Sequence, residues 1–128
     1  MNILVTGAGG QLGKALRNVV EETDYKCFFA DLCPEGDVAS LDVTDAAALG
    51  YMLDANDIDV VVNCAAYTDV EKAESDHENA YKVNAYAAGI IAGEVARRNL
   101  SLIHISTDYV FDGHSNTPYD ENACPSPL

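Results

Sequence analysis

Residues Thr6 to Gly13 read TGAGGQLG and follow the short apolar run Asn2 to Val5 directly. Three glycines, Gly7, Gly10 and Gly13, stand three apart, and behind them Leu12, Ala15, Leu16, Val19 and Val20 recur at helical spacing. The pattern is a strand ending at Thr6, a tight turn and an amphipathic helix. In such a unit the first glycine permits the sharp turn, the second lets backbone approach a pyrophosphate, and the third lets helix pack on strand. N–H groups at the helix start then face the phosphates. Asp31 closes the next apolar run, Lys26 to Asp31, 18 residues beyond Gly13. A carboxylate there can accept hydrogen bonds from an adenosine ribose. The plainer alternative is a glycine-rich turn with a solvated aspartate behind it, and the agreement of strand, helix and aspartate weighs against that.

The rest of the chain alternates in the same way. Val38 to Val43 holds a short third strand, and Asp45 is placed to cap a helix running to about Leu53. Asp59 to Ala66, DVVVNCAA, is almost continuously apolar, as expected of a parallel strand covered on both faces. From His77 to Arg98 a helical stripe of Ala80, Val83, Ala87, Ile90, Ile91 and Val95 follows, with Arg97, Arg98 and Asn99 suited to its C-terminal end. The buried-looking run from Leu100 is a fifth strand that ends abruptly in Ser106, Thr107, Asp108 and Tyr109. Strands separated by helices imply right-handed crossovers, hence an α/β, Rossmann-type doubly wound parallel sheet of order 3-2-1-4-5. Asp112 to Leu128 shows no period and is expected to be loop.

Charge and cysteine usage narrow the partners. With 21 acidic against 7 basic side chains among 128 residues, the net charge is −14, which repels nucleic acid and anionic membrane surfaces. A small phosphate ligand stays compatible, because backbone amides can hold it whatever the global charge. Cys27, Cys33, Cys64 and Cys124 form no C-x-x-C pair, so reduced thiols in a cytoplasmic protein fit better than disulfides or zinc. His77, His104 and His114 lack metal-ligand spacing, and no metal site is expected. No uncharged stretch approaches the roughly 20 residues that span a bilayer. His104, inside a strand, reads as a packed, hydrogen-bonded residue, and Tyr109 with Phe111 as core.

The Gly-x-x-Gly-x-x-Gly spacing resembles the extended short-chain dehydrogenase/reductase superfamily. LDVTD, NCAAYTDVEKAES and KVNAYAA are similar to its segments at the adenine pocket, beside the cofactor and on the long helix. AAYTDVEKAES, VNAYAAGIIA and ISTDYVFDG followed by PYDENACPSPL resemble, more closely, the dTDP-4-dehydrorhamnose reductase family. That resemblance covers the whole chain. It implies reduction of the 4-keto group of dTDP-4-dehydro-6-deoxy-L-mannose to dTDP-L-rhamnose with NADPH or NADH, in nucleotide-sugar and cell-surface polysaccharide biosynthesis. Besides Gly7, Gly10 and Gly13, it implies cofactor contacts at Gln11, Leu12, Asp31, Asp42, Val43, Ala65, Ala66, Tyr67, Thr68 and Ile105. Asn84, expected on the inward stripe of the long helix, is balanced between a cofactor-site role and a buried helix–helix contact. Thr107 falls on the catalytic threonine, which also contacts substrate, and Asp108 on a neighbouring sugar-nucleotide contact. A hydroxyl at the end of the fifth strand can donate to a carbonyl as oxyanion charge develops. Because alternate strand residues point oppositely, Ser106 is expected to do less there than Thr107.

Reductases of this kind also use Tyr with Lys four residues later, the ammonium lowering the phenol's pKa. Four residues after the seven tyrosines stand Phe29, Ala55, Glu71, Ala85, Ile90, Gly113 and Ala123, none of them Lys. The resemblance puts that pair just after SPL. Residues 1–128 are therefore expected to be an incomplete NAD(P)-binding domain, without the later strands and the C-terminal region that clasps a dTDP-sugar, and inactive alone. The complete protein is expected to be a soluble enzyme and a possible homodimer. Two alternatives stay open: a cofactor-binding regulatory subunit like that of methionine adenosyltransferase, and a sugar-nucleotide epimerase or dehydratase of the same superfamily.

Overall fold

The computed structural model describes residues 1–127, with the backbone alone at Asp108. Five parallel strands form one sheet: β1 (Asn2–Thr6), β2 (Lys26–Asp31), β3 (Ala39–Ser40), β4 (Val60–Asn63) and β5 (Ser101–His104). Their order is β3-β2-β1-β4-β5, as the alternation of elements implies. Register brings Thr6 beside both Ala30 and Asn63, and Asn63 beside His104. The carboxyl ends of β1, β2, β4 and β5 therefore share one edge of the sheet, where ligands of such sheets bind.

The helices are α1 (Gln11–Val20), α2 (Ala46–Ala55), α3 (Val70–Ala73), α4 (His77–Tyr81) and α5 (Ala87–Arg97), with a π-helical turn at Lys82–Tyr86 joining the last two. Right-handed crossovers put α1 on one face of the sheet and α2 with α5 on the other. The core lies on the second face, where Leu4 and Val61 meet Leu49, Leu53, Ile91 and Val95. Each large side chain buried there contributes about 1.5–3 kcal/mol. Asp45 caps α2 by accepting from Ala47 N and Ala48 N, as its position implies. Asn99 takes a left-handed conformation (φ 55°), and Leu100 N donates to Val95 O at 3.0 Å, closing α5 and turning the chain into β5.

Several expectations need correction. The short third strand expected within Val38–Val43 is Ala39–Ser40, paired with β2 at Ala30 and Asp31. The fourth stops at Asn63 rather than Ala66, where the chain turns to meet Gly7. Among the described residues the fifth strand pairs only with β4, and Ile103 and Ile105 are about half exposed. Along α1 only Gly13 is fully buried, and Leu12, Ala15 and Val19 face solvent. Tyr109 is exposed and Phe111 stacks on Tyr119 at 4.3 Å, so neither belongs to the core. His104 is exposed yet hydrogen-bonded, its Nδ1 lying 3.0 Å from Asn63 Nδ2. Residues 111–127 hold no helix or strand. No helix among the described residues is long and apolar enough to cross a membrane.

Candidate functional site

The glycine turn is fastened from both sides. Gly7 takes φ +67°, and a Cβ there would lie 2.5 Å from Ala65 N and 2.6 Å from the Cys64 carbonyl carbon. The turn after β1 and the loop after β4 are thus in backbone contact, which only glycine permits. On the other side Ala8 N donates to Ala30 O at 3.1 Å, and Gly9 N donates to Asp31 Oδ2 at 2.9 Å. Asp31 Oδ1 accepts from Cys33 N at 3.0 Å. The sequence-predicted aspartate therefore sits against the turn. A carboxylate offers about four lone-pair sites, so both oxygens can still take ribose hydroxyls.

Gly10 precedes α1 in extended conformation with no side-chain cap on the helix start. Gly9, Gly10, Gln11 and Leu12 are exposed around it. A Cβ at Gly10 would meet only Gly7 O, at 3.3 Å. An uncapped helix N-terminus behind a turn whose exposed residues, Gly9 and Gly10, carry no side chain suits a diphosphate. Gly13 instead faces inward, where a Cβ would lie 2.6 Å from Ala8 Cα. Gly7 and Gly13 thus take the turn and packing places their spacing implies, and Gly10 leaves the helix start open.

A buried polar link that sequence reasoning missed holds the strand ends. Asn63, only 2% exposed, accepts from Thr6 Oγ1 at 2.6 Å and from Ala65 N at 3.2 Å, while its amide nitrogen meets His104. One side chain thereby ties β1, β4, β5 and the following loop. The available signal was a polar residue closing each of two apolar strands, Thr6 and Asn63.

Beyond β4, Ala65 and Tyr67 are half-buried, and Ala66 and Thr68 are exposed. Asn84 does not lie on the inward stripe. It is exposed, and its carboxamide accepts from Tyr67 N at 2.8 Å and donates to Tyr67 O at 3.0 Å. The π turn presents it to the loop, which the helical period alone cannot foresee. Tyr67 Oη donates to Asp76 Oδ2 at 3.1 Å, and desolvation, then this bond and the charge of Asp76, push the phenol up.

The remaining predicted residues are spread along the same edge. Asp42 Oδ1 accepts from Thr44 Oγ1 and Thr44 N at 2.7 and 2.8 Å, and these bonds hold its carboxyl below the ordinary range. Val43 is buried in the core. Ile105 N donates to Asn63 O at 3.2 Å. Ser106 and Thr107 lie past the end of β5, so strand alternation does not govern them. Thr107 Oγ1 accepts from Tyr109 N at 3.2 Å at the start of a short 3₁₀ turn. The Asp108 side chain lies outside the described residues. A separate groove of about 820 Å³ between α2 and α5 contains none of these residues, and its Arg98 is already paired with Asp54 and Glu94.

The chain is 36% identical, over 98% of its length, to a dTDP-4-dehydrorhamnose reductase of Aggregatibacter actinomycetemcomitans, and spans 41% of that protein. A crystal structure of a dTDP-4-dehydrorhamnose reductase from Clostridium acetobutylicum superposes with a TM-score of 0.89 at 34% identity, covering 99% of this chain and 43% of that one. One from Bacillus anthracis, in complex with NADP, superposes with a TM-score of 0.83 at 35% identity, covering 98% of this chain and 43% of that one. The chain thus spans about two fifths of these relatives. Residues 1–128 match in full the family described as RmlD substrate binding domain, and the chain belongs to that family.

Proposed function

We propose that this chain is the dinucleotide-binding part of an NAD(P)H-dependent reductase acting on the 4-keto group of dTDP-4-dehydro-6-deoxy-L-mannose. The observation that carries the reading is the convergence at one sheet edge of the uncapped start of α1, the Asp31 carboxylate on Gly9, and the Ala65 backbone against Gly7. The likeness to proteins named as reductases, one of them in complex with NADP, supports it.

The nicotinamide cofactor supplies hydride when bound. Gly10, Gln11 and Leu12 present backbone to its diphosphate, Asp31 accepts from the adenosine ribose, and Asp42 stands at the adenine end. Gly7, Gly13, Ala65, Ala66, Tyr67, Thr68 and Ile105 shape the floor and far wall, and Asn84 serves that wall through Tyr67. Val43 contributes its place in the core beneath the adenine end. Thr107 is the candidate catalytic group, donating to the substrate's keto oxygen as charge develops, and Asp108 is the candidate contact to the sugar nucleotide. The domain reading is one NAD(P)-binding unit that is incomplete as a reductase.

Turnover is assayed on the complete gene product with the 4-keto sugar nucleotide and reduced cofactor. Thr107→Val should lower kcat by about 10²–10³ with cofactor affinity nearly unchanged, the usual effect of losing one oxyanion donor. A silent Thr107→Val would remove Thr107 from the mechanism, and no reduction of any 4-keto sugar nucleotide would overturn the reading.

A further inference from the structure

Three aspartates stand immediately before helices, and one of them is used differently. Asp45 accepts from Ala47 N and Ala48 N, and Asp69 accepts from Lys72 N, each capping the helix it precedes. Asp76 precedes α4, yet its side chain caps nothing. Its Oδ2 accepts from the Tyr67 phenol at 3.1 Å, and its Oδ1 accepts from Asn79 Nδ2 at 2.8 Å. A helix start is where an aspartate ordinarily capable of capping does so. This carboxylate is spent on the loop after β4 instead.

Tyr67 is consequently held at three atoms by one helical body. Asn84, in the π turn, takes its backbone N–H and carbonyl, and Asp76, at the start of α4, takes its hydroxyl. Two residues earlier the same loop packs its Ala65 backbone against Gly7. Tyr67 and Ala65 thus stand two residues apart on one loop that borders the glycine turn. We propose that Asp76 is a positioning residue for the dinucleotide: by anchoring the Tyr67 hydroxyl it fixes the loop of residues 64–68 at the distance from the glycine turn that the ligand needs. This rests on reading the site as a dinucleotide site, and it assigns Asp76 a part in that site through Tyr67 without contact with the ligand.

The test uses the complete gene product, with Asp76→Ala, Asp76→Asn, Tyr67→Phe and the double variant Asp76→Ala/Tyr67→Phe. Without ligand, amide hydrogen exchange at residues 66–69 should quicken roughly three- to tenfold in Asp76→Ala and Tyr67→Phe, the range of one partly exposed hydrogen bond. Amides of β1 should not change. The Kd for NADH should rise by a similar factor, the double variant should be no weaker than either single, and Asp76→Asn should restore both readouts within about twofold, since its carboxamide oxygen still accepts the phenol proton. Unchanged exchange at residues 66–69, or additive losses in the double variant, would overturn the positioning role. Normal exchange responses in a chain that does not bind NADH would keep the anchoring of the loop and overturn the dinucleotide reading beneath it.

Discussion

Replacing Gly13 by alanine tests whether the third glycine is a packing residue. A Cβ there would lie 2.6 Å from Ala8 Cα and 2.8 Å from the Ala8 carbonyl carbon, and closer still to Gly7 O. Carbon atoms rest comfortably at about 3.5–4.0 Å, so α1 would have to move outward by roughly 1 Å. Every atom in the way is backbone, and none can rotate aside. Overpacking costs about 1–3 kcal/mol, and rigid neighbours place this case near the upper end. Each kcal/mol lowers the Tm of a domain this size by about 3–5 °C, so Gly13→Ala should melt roughly 10 °C below the parent chain. Gly93, inside α5, is the control: nothing lies within 4 Å of its added Cβ. Alanine is favoured over glycine in a helix by about 1 kcal/mol, so Gly93→Ala should melt a few degrees higher. Thermal unfolding followed by far-ultraviolet circular dichroism reads both. A Gly13→Ala chain melting within about 2 °C of the parent would refute the close approach of α1 to the glycine turn.

Three further outcomes follow from the charges. The Asp42 carboxyl is held low by its bonds to Thr44, so its stabilisation is present above the unfolded value of about 3.9 and is lost as pH falls through the depressed folded value; the urea-midpoint gap between the parent chain and Asp42→Ala should be wide near neutrality and close in acid. The net charge of −14 is relieved by four ion pairs among the described residues, all made by arginines. Raising salt from about 0.01 to 1 M shortens the screening length from about 30 to 3 Å, so the chain should melt higher in salt, and a fall would show that these pairs outweigh the repulsion. Asp31 against Gly9 favours a free ribose hydroxyl over a 2′-phosphate, so NADH should bind at least as tightly as NADPH, with Asp31→Asn narrowing the difference; calorimetry showing a strong NADPH preference would place the choice elsewhere.

Local chemistry was legible in the sequence where neighbours along the chain decide it. The first strand, its glycine turn, the Asp45 cap and the left-handed Asn99 all follow from residues a few positions apart. Strand order followed too, because crossover handedness leaves few choices. What depends on distant contacts was hidden. Apolar Ile103 and Ile105 are about half exposed among the described residues, where β4 alone pairs with β5. Asn63 looked like part of an apolar strand, while its partners Thr6 and His104 lie 57 and 41 residues away. Asn84 was read by a period of 3.6, and the π turn breaks that period just there. Short α3 was not expected, since four residues carry no period to detect.

The central claim is that a dinucleotide diphosphate lies over Gly10 at the start of α1. Titration of NADH into the chain by calorimetry, beside Gly10→Val, tests it most directly. A Cβ at Gly10 meets one protein atom within 4 Å, Gly7 O at 3.3 Å, and valine is a poor N-cap, so the variant should keep the fold with a modestly lower Tm than the parent. Branched methyls there would fill the space of the diphosphate, so saturable one-to-one binding should be seen in the parent and lost in the variant. Equal binding by a folded Gly10→Val chain, or no binding by the parent, would contradict the account.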